Sequence, residues 1–153
     1  MRTANQWFDA YSGDHRNHTN QTIHWICVPV ILWCALAMLW TIPSPLPLQG
    51  FWALLAMAAT LGFYTRLSYR LGLTMLLWLA LNTWLVIAVL NAAGLHGLWV
   101  SALGLFVLAW IGQFVGHIIE GRRPSFFTDL AYLLIGPAWL MGKLTRRLGW
   151  PIA

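Results

Sequence analysis

Apolar positions along the chain gather into five runs, at about 23–42, 51–69, 71–90, 95–119 and 126–141. A membrane-crossing helix needs about 20 such residues. The runs at 23–42, 71–90 and 95–119 reach that length, and 51–69 reaches it if Arg66 extends to the interface. The run at 126–141 is shorter and contains Gly136 and Pro137, expected to break it, so an interfacial or re-entrant helix is predicted there. Residues 1–22 are polar and mixed, with Trp7, Phe8 and Tyr11 marking a short helix at the interface. The expected fold is all-α: one membrane domain over 1–153, a helical bundle of four transmembrane helices plus interfacial or re-entrant helices.

Composition agrees. Hydrophobic residues make up 59% of the chain and charged residues 8%, against about 25% charged in an ordinary soluble domain. That excludes a soluble globular domain, a disordered chain and a coiled coil. The links at 43–50 and 91–97 carry no charge. Arg2, Arg16, Arg66, Arg70, Arg122, Arg123, Lys143, Arg146 and Arg147 all fall on the other side of a four-span chain. The positive-inside rule makes that side cytoplasmic and puts both termini there. The formal net charge of +5 is then topology and not a nucleic-acid patch. The N-terminal segment lacks the pattern of a cleavable signal. The expected location is a bacterial inner membrane, or the endoplasmic reticulum in a eukaryote. Trp25, Trp40, Trp52, Trp99 and Trp139 lie near span ends, as an aromatic belt requires. Cys27 and Cys34 are seven helical residues apart, roughly 10 Å along the axis and too far for a disulfide.

The same topology collects the ionisable groups. His15, His18, His24 and His117, with Glu120, fall on the basic side, and His96 on the other. Gln113, Gly116, His117 and Glu120 share one helix face, as do Asn20 and His24. Gly112 and Gly116 permit close helix approach. Ionisable groups at membrane depth default to a functional reading. Imidazoles with a carboxylate suit a mononuclear Fe(II) or Zn(II) site with open positions, and the candidate ligands are His15, His24, His117 and Glu120. The plainer reading of any one histidine is an interfacial hydrogen-bonder. On an unbroken helix His15 and His24, nine residues apart, face opposite ways. A shared ion therefore requires a break between them, for which Asn17 and Asn20 are suitable cap residues.

A resemblance joins these residues. Tyr11, the string His15-x-Asn17-x-x-Asn20-x-x-Ile23-His24, and then Val28-Pro29 resemble the N-terminal signature of small membrane proteins related to the fungal 2-hydroxy fatty acid dioxygenase. Gln113-Phe114-Val115-Gly116-His117, with Arg122-Arg123-Pro124 and Asp129-Leu130, resembles the second signature. The resemblance implies an Fe(II)-dependent dioxygenase of α-oxidation. Its substrates would be a 2-hydroxy fatty acid and O2, and its products the one-carbon-shorter acid and CO2. On that reading His15, His24 and His117, with Glu120, hold the iron on the cytoplasmic side. Asn17, Asn20 and Gln113 orient the imidazoles, Tyr11 donates to substrate or oxygen, and Arg122 or Arg123 binds the carboxylate. The acyl chain lies between the spans and enters from the lipid. Oligomers are compatible with the sequence, and nucleic acid is not an expected partner. Two other classes compete: a metal-free lipid-binding or assembly protein, and an electron carrier with His24 and His117 as haem ligands.

Overall fold

The computed structural model describes residues 2–124 and 130–152. Every regular element among them is helical: α1 (Ala4–Gly13), α2 (His18–Thr41), α3 (Phe51–Leu67), α4 (Tyr69–Glu120) and α5 (Tyr132–Arg147). The helix starts follow local chemistry. The Thr3 hydroxyl and the Gln6 amide form a capping box on α1. Asn17 caps α2 by accepting from the backbone N–H groups of Thr19 and Asn20. Ser68, in extended conformation, both stops α3 and caps α4. The second apolar segment therefore ends at Leu67 rather than 69.

Helix α4 counts 52 residues, about 78 Å if straight. It is not straight. Gly94 sits at φ 70° and ψ −179°, outside helical geometry and in a region that favours glycine. Met75 and Leu79 before it line the same cavity as Phe106 and Trp110 after it, so the arms 69–93 and 95–120 fold back on each other. The two apolar segments expected at 71–90 and 95–119 are these arms, and the link between them shrinks to one residue.

By length and hydropathy, α2 and α4 qualify as membrane-crossing helices, and α3 is a shorter apolar helix. Large apolar side chains point outward from the arms, among them Leu77, Trp84, Leu108 and Ile118. One buried cluster gathers Cys34, Ala37, Trp40, Val86, Leu98 and Ala102 near the uncharged turns. A second packs α1 against α5 and the ends of α3 and α4, through Trp7, Phe8, Tyr64, Met75, Ile135 and Trp139.

This second cluster changes two expectations. Trp7, Phe8 and Tyr11 do not form an outward interfacial face; α5 covers them. Nor do Gly136 and Pro137 break the fifth segment, since α5 runs through both. Pro137 removes one backbone N–H, yet both residues are buried, and a side chain at Gly136 would press on the Tyr11 hydroxyl at 3.0 Å. The start of the expected 126–141 helix, and Asp129 of the second signature, lie outside the described residues.

Candidate metal centre

Residues 14–17 interrupt the helices between His15 and His24, so the two rings meet despite facing opposite ways on a continuous helix. His15 Nε2 lies 3.0 Å from His24 Nε2. His117, from the second arm of α4, completes the group: its ring centroid is 5.0 Å from that of His15 and 5.1 Å from that of His24. All three are buried, and one ring nitrogen from each lies within 4.8 Å of the others.

The hydrogen bonds assign the tautomers. His15 Nδ1 lies 2.7 Å from the Tyr11 carbonyl and His24 Nδ1 2.9 Å from the Asn20 carbonyl. A carbonyl only accepts, so each Nδ1 carries its proton and donates. In the neutral rings both Nε2 atoms are then bare lone pairs facing each other. Burial lowers His15 from the ordinary 6.5 to about 4, so no proton relieves that contact at neutral pH. His117 Nδ1 is buried without a hydrogen-bond partner. A cation held among the three rings would resolve the arrangement. One nitrogen from each of the three rings lies close enough to the others for a single ion to be shared among them. Backbone carbonyls behind the ligating rings are the usual orienting partners of metal-bound histidines.

The neighbours hold this group in place. Tyr11 stacks on His15, centroids 4.0 Å apart at 15°. Glu120 does not join the three rings; its carboxylate gathers the loop. It accepts from Arg16 N at 2.9 Å, Asn17 N at 2.9 and 3.1 Å, and Asn20 Nδ2 at 3.0 Å. Asn17 is the α2 cap, and Asn20 links Glu120 to His24 through its side chain and its carbonyl. A Cβ at Gly116 would stand 2.4 Å from Asn20 Oδ1, so only glycine lets α4 approach α2 here.

The site opens into a cavity of about 360 Å³ between the helices. Tyr11, His24, Gln113 and His117 line its polar end, and apolar side chains of α2, α3, α4 and α5 line the rest. Arg122 and Arg123 are not part of this wall. They border a smaller pocket that shares His117, and Arg122 pairs with Asp14 at 3.0 Å on the surface. His18 is exposed at the start of α2, and His96 is exposed beside the turn at Gly94.

Sequence reasoning missed the support from α5. Gln21 donates to the His15 carbonyl at 2.7 Å and accepts from Lys143 at 2.8 Å. Lys143 lies 3.7 Å over the Trp139 ring, and Trp139 donates to Ser12 at 2.8 Å. The one available signal was the spacing of Trp139 and Lys143, four apart and so on one helix face.

A family model described as 2-hydroxy-palmitic acid dioxygenase Mpo1-like matches residues 1–148 of the chain. The chain is also similar to the 2-hydroxy-palmitic acid dioxygenase MPO1 of Saccharomyces cerevisiae. The two are 32% identical over 142 residues, which cover 91% of this chain and 78% of that protein. No solved structure matches.

Proposed function

The chain belongs to the Mpo1-like family, and from that premise we propose that it is an Fe(II)-dependent dioxygenase that shortens 2-hydroxy fatty acids by one carbon. The observation that carries this reading is the placement of three buried imidazoles at the head of an apolar cavity. The reaction balances without a second reductant: R–CHOH–COOH plus O2 gives R–COOH, CO2 and H2O.

His15, His24 and His117 are the proposed ligands. When bound, Fe(II) supplies the one-electron and O2 chemistry that side chains lack. Burial keeps His15 neutral, as a metal-ligating imidazole must be. The carbonyls of Tyr11 and Asn20 aim the ring nitrogens. Burial also raises the Tyr11 hydroxyl above its ordinary range, so it remains an O–H donor at the cavity head. Gln113 offers a carboxamide there, suited to the hydroxyl or carboxylate of the substrate. Glu120 acts as a clamp on residues 16–20 and not as a ligand. Arg122 and Arg123 place positive charge on the far side of His117, which attracts the carboxylate. The apolar shaft holds the acyl chain and excludes water.

The same reading places the protein in a membrane, with α2, α3 and the two arms of α4 as four spans. The outward-facing leucines and tryptophans support it, as does the gathering of basic residues at one end. There Arg70 contacts Pro151, Arg122 contacts Asp14 and Arg147 lies over Trp25. That end is the cytoplasmic one, with both termini and the site.

The test is metal analysis of protein purified in detergent without chelators, wild type against His117→Ala, followed by oxygen uptake with 2-hydroxypalmitic acid. We expect about one iron per chain, lost in the variant, and uptake only with iron present. Folded wild-type protein that takes up no metal after anaerobic addition of Fe(II) overturns the reading and favours a metal-free lipid-binding protein.

A further inference from the structure

The cavity has a length as well as a polarity. Its wall on α2 runs from His24, beside the other two imidazoles, to Leu39. That stretch covers 15 residues of helix, about 22 Å. A saturated chain advances about 1.25 Å per carbon, from its bond length and angle, so the shaft matches roughly 16–18 carbons. Two hydroxyls of the wall are already engaged: Thr60 donates its own to the Ala56 carbonyl at 2.7 Å, and Tyr64 to the Leu134 carbonyl at 2.7 Å. Toward Leu39 its wall meets packed protein. Leu36 and Leu79 belong both to the cavity wall and to the packed cluster that includes Trp40 and Leu98.

Two alanines line the far part of the shaft, Ala35 on α2 and Ala56 on α3. They lie at about the same depth. Ala35 is six residues before the end of α2, and Ala56 five after the start of α3, and the two helices are joined at that end by residues 42–50. Neither is fully buried by protein, and each lines the shaft. From His24, Ala35 is 11 residues along the helix, about 16 Å. A larger side chain at either position would occupy the space of the last few carbons and leave the imidazoles untouched.

We propose that this shaft is a gauge of acyl-chain length, closed by the Trp40–Leu98 cluster and set by the small side chains of Ala35 and Ala56. The proposal rests on the dioxygenase reading for the chemistry of the head group, and on the cavity alone for the length of the tail.

The experiment measures displacement of a fluorescent fatty acid from protein in nanodiscs. The competitors are saturated 2-hydroxy acids and plain fatty acids of increasing length, with iron determined on the same samples. Each added methylene is expected to tighten binding about fourfold, up to a maximum at roughly 16–18 carbons, beyond which binding weakens. Ala35→Phe and Ala56→Phe are each expected to move the maximum to about 12 carbons and to weaken longer acids at least tenfold, with iron content unchanged. Should the phenylalanine variants not fold, Ala35→Leu is expected to move the maximum by about two carbons. A wild-type profile without a maximum, or a maximum that none of the folded variants moves, overturns the gauge. A maximum that moves as expected in protein that binds no iron and consumes no oxygen supports the gauge and overturns the dioxygenase reading instead.

Discussion

The two ends of the bundle are built on opposite principles. Toward the uncharged turns, Cys34, Ala37, Trp40, Val86, Leu98 and Ala102 pack as an apolar cluster. At the basic end His15, Asn20, His24, Gln113 and His117 are buried instead. Hydrogen bonds there join groups 100 to 104 residues apart. The unsatisfied atoms differ in kind. At the apolar end they include the indole nitrogens of Trp33 and Trp40; at the basic end they are Asn20 Oδ1 and His117 Nδ1. An indole N–H only donates and is no cation ligand, whereas a carboxamide oxygen or an imidazole nitrogen can accept. One end is finished by packing. The other buries acceptors without partners, which is costly and which a bound cation would relieve.

This contrast separates stability from metal binding. Leu98→Ala removes a fully buried side chain from the apolar cluster. The expected loss is about 2–5 kcal/mol of stability, with iron per folded chain unchanged. Thermal melting and metal analysis on one preparation check both halves of that statement. A loss of iron from the folded variant would show that the two ends are coupled.

Glu120→Ala tests the opposite end. The carboxylate ties Arg16, Asn17 and Asn20 to α4, and so positions His15 and His24 without touching a ligand atom. Removing it is expected to weaken iron binding about 10- to 100-fold while the apolar cluster keeps the fold. Titration with Fe(II) under anaerobic conditions reads the affinity, and helicity reads the fold. Unchanged affinity would mean that the loop holds its shape unaided.

A separate effect is expected from pH. Burial depresses His15 from 6.5 to about 4 in the folded chain, so between those values the unfolded chain binds the extra proton. Stability from this residue is complete above pH 6.5 and falls as pH drops toward 4. Melting temperatures of the metal-free protein should decline across that window, and His15→Asn should flatten the decline. A flat profile for the wild type would show that a proton is accommodated between His15 and His24.

Much of this was legible beforehand. The helices α2, α3 and the arms of α4 follow the apolar runs to within a few residues, because a continuous apolar run of that length has few other ways to satisfy its backbone. The requirement for a break between His15 and His24 followed from helical geometry, and the chain supplies it at 14–17 with Asn17 as the cap. The histidines themselves stood out because ionisable groups in an apolar chain are rare. Less was legible for Glu120, whose proximity to His117 in sequence suggested a ligand while its oxygens serve the loop. The support from Gln21, Trp139 and Lys143 showed only as the four-residue spacing of the last two.

Run length, charge placement and helical period are properties of neighbouring residues, and they were enough to place the helices and to single out His15, His24 and His117, with Glu120, as candidates. The meeting of those imidazoles, the turn of Glu120 toward residues 16–20, the cover of α5 over Tyr11 and the depth of the shaft arise between residues far apart in the chain. Distances of that kind are set by which faces pack together, and no local pattern carries them.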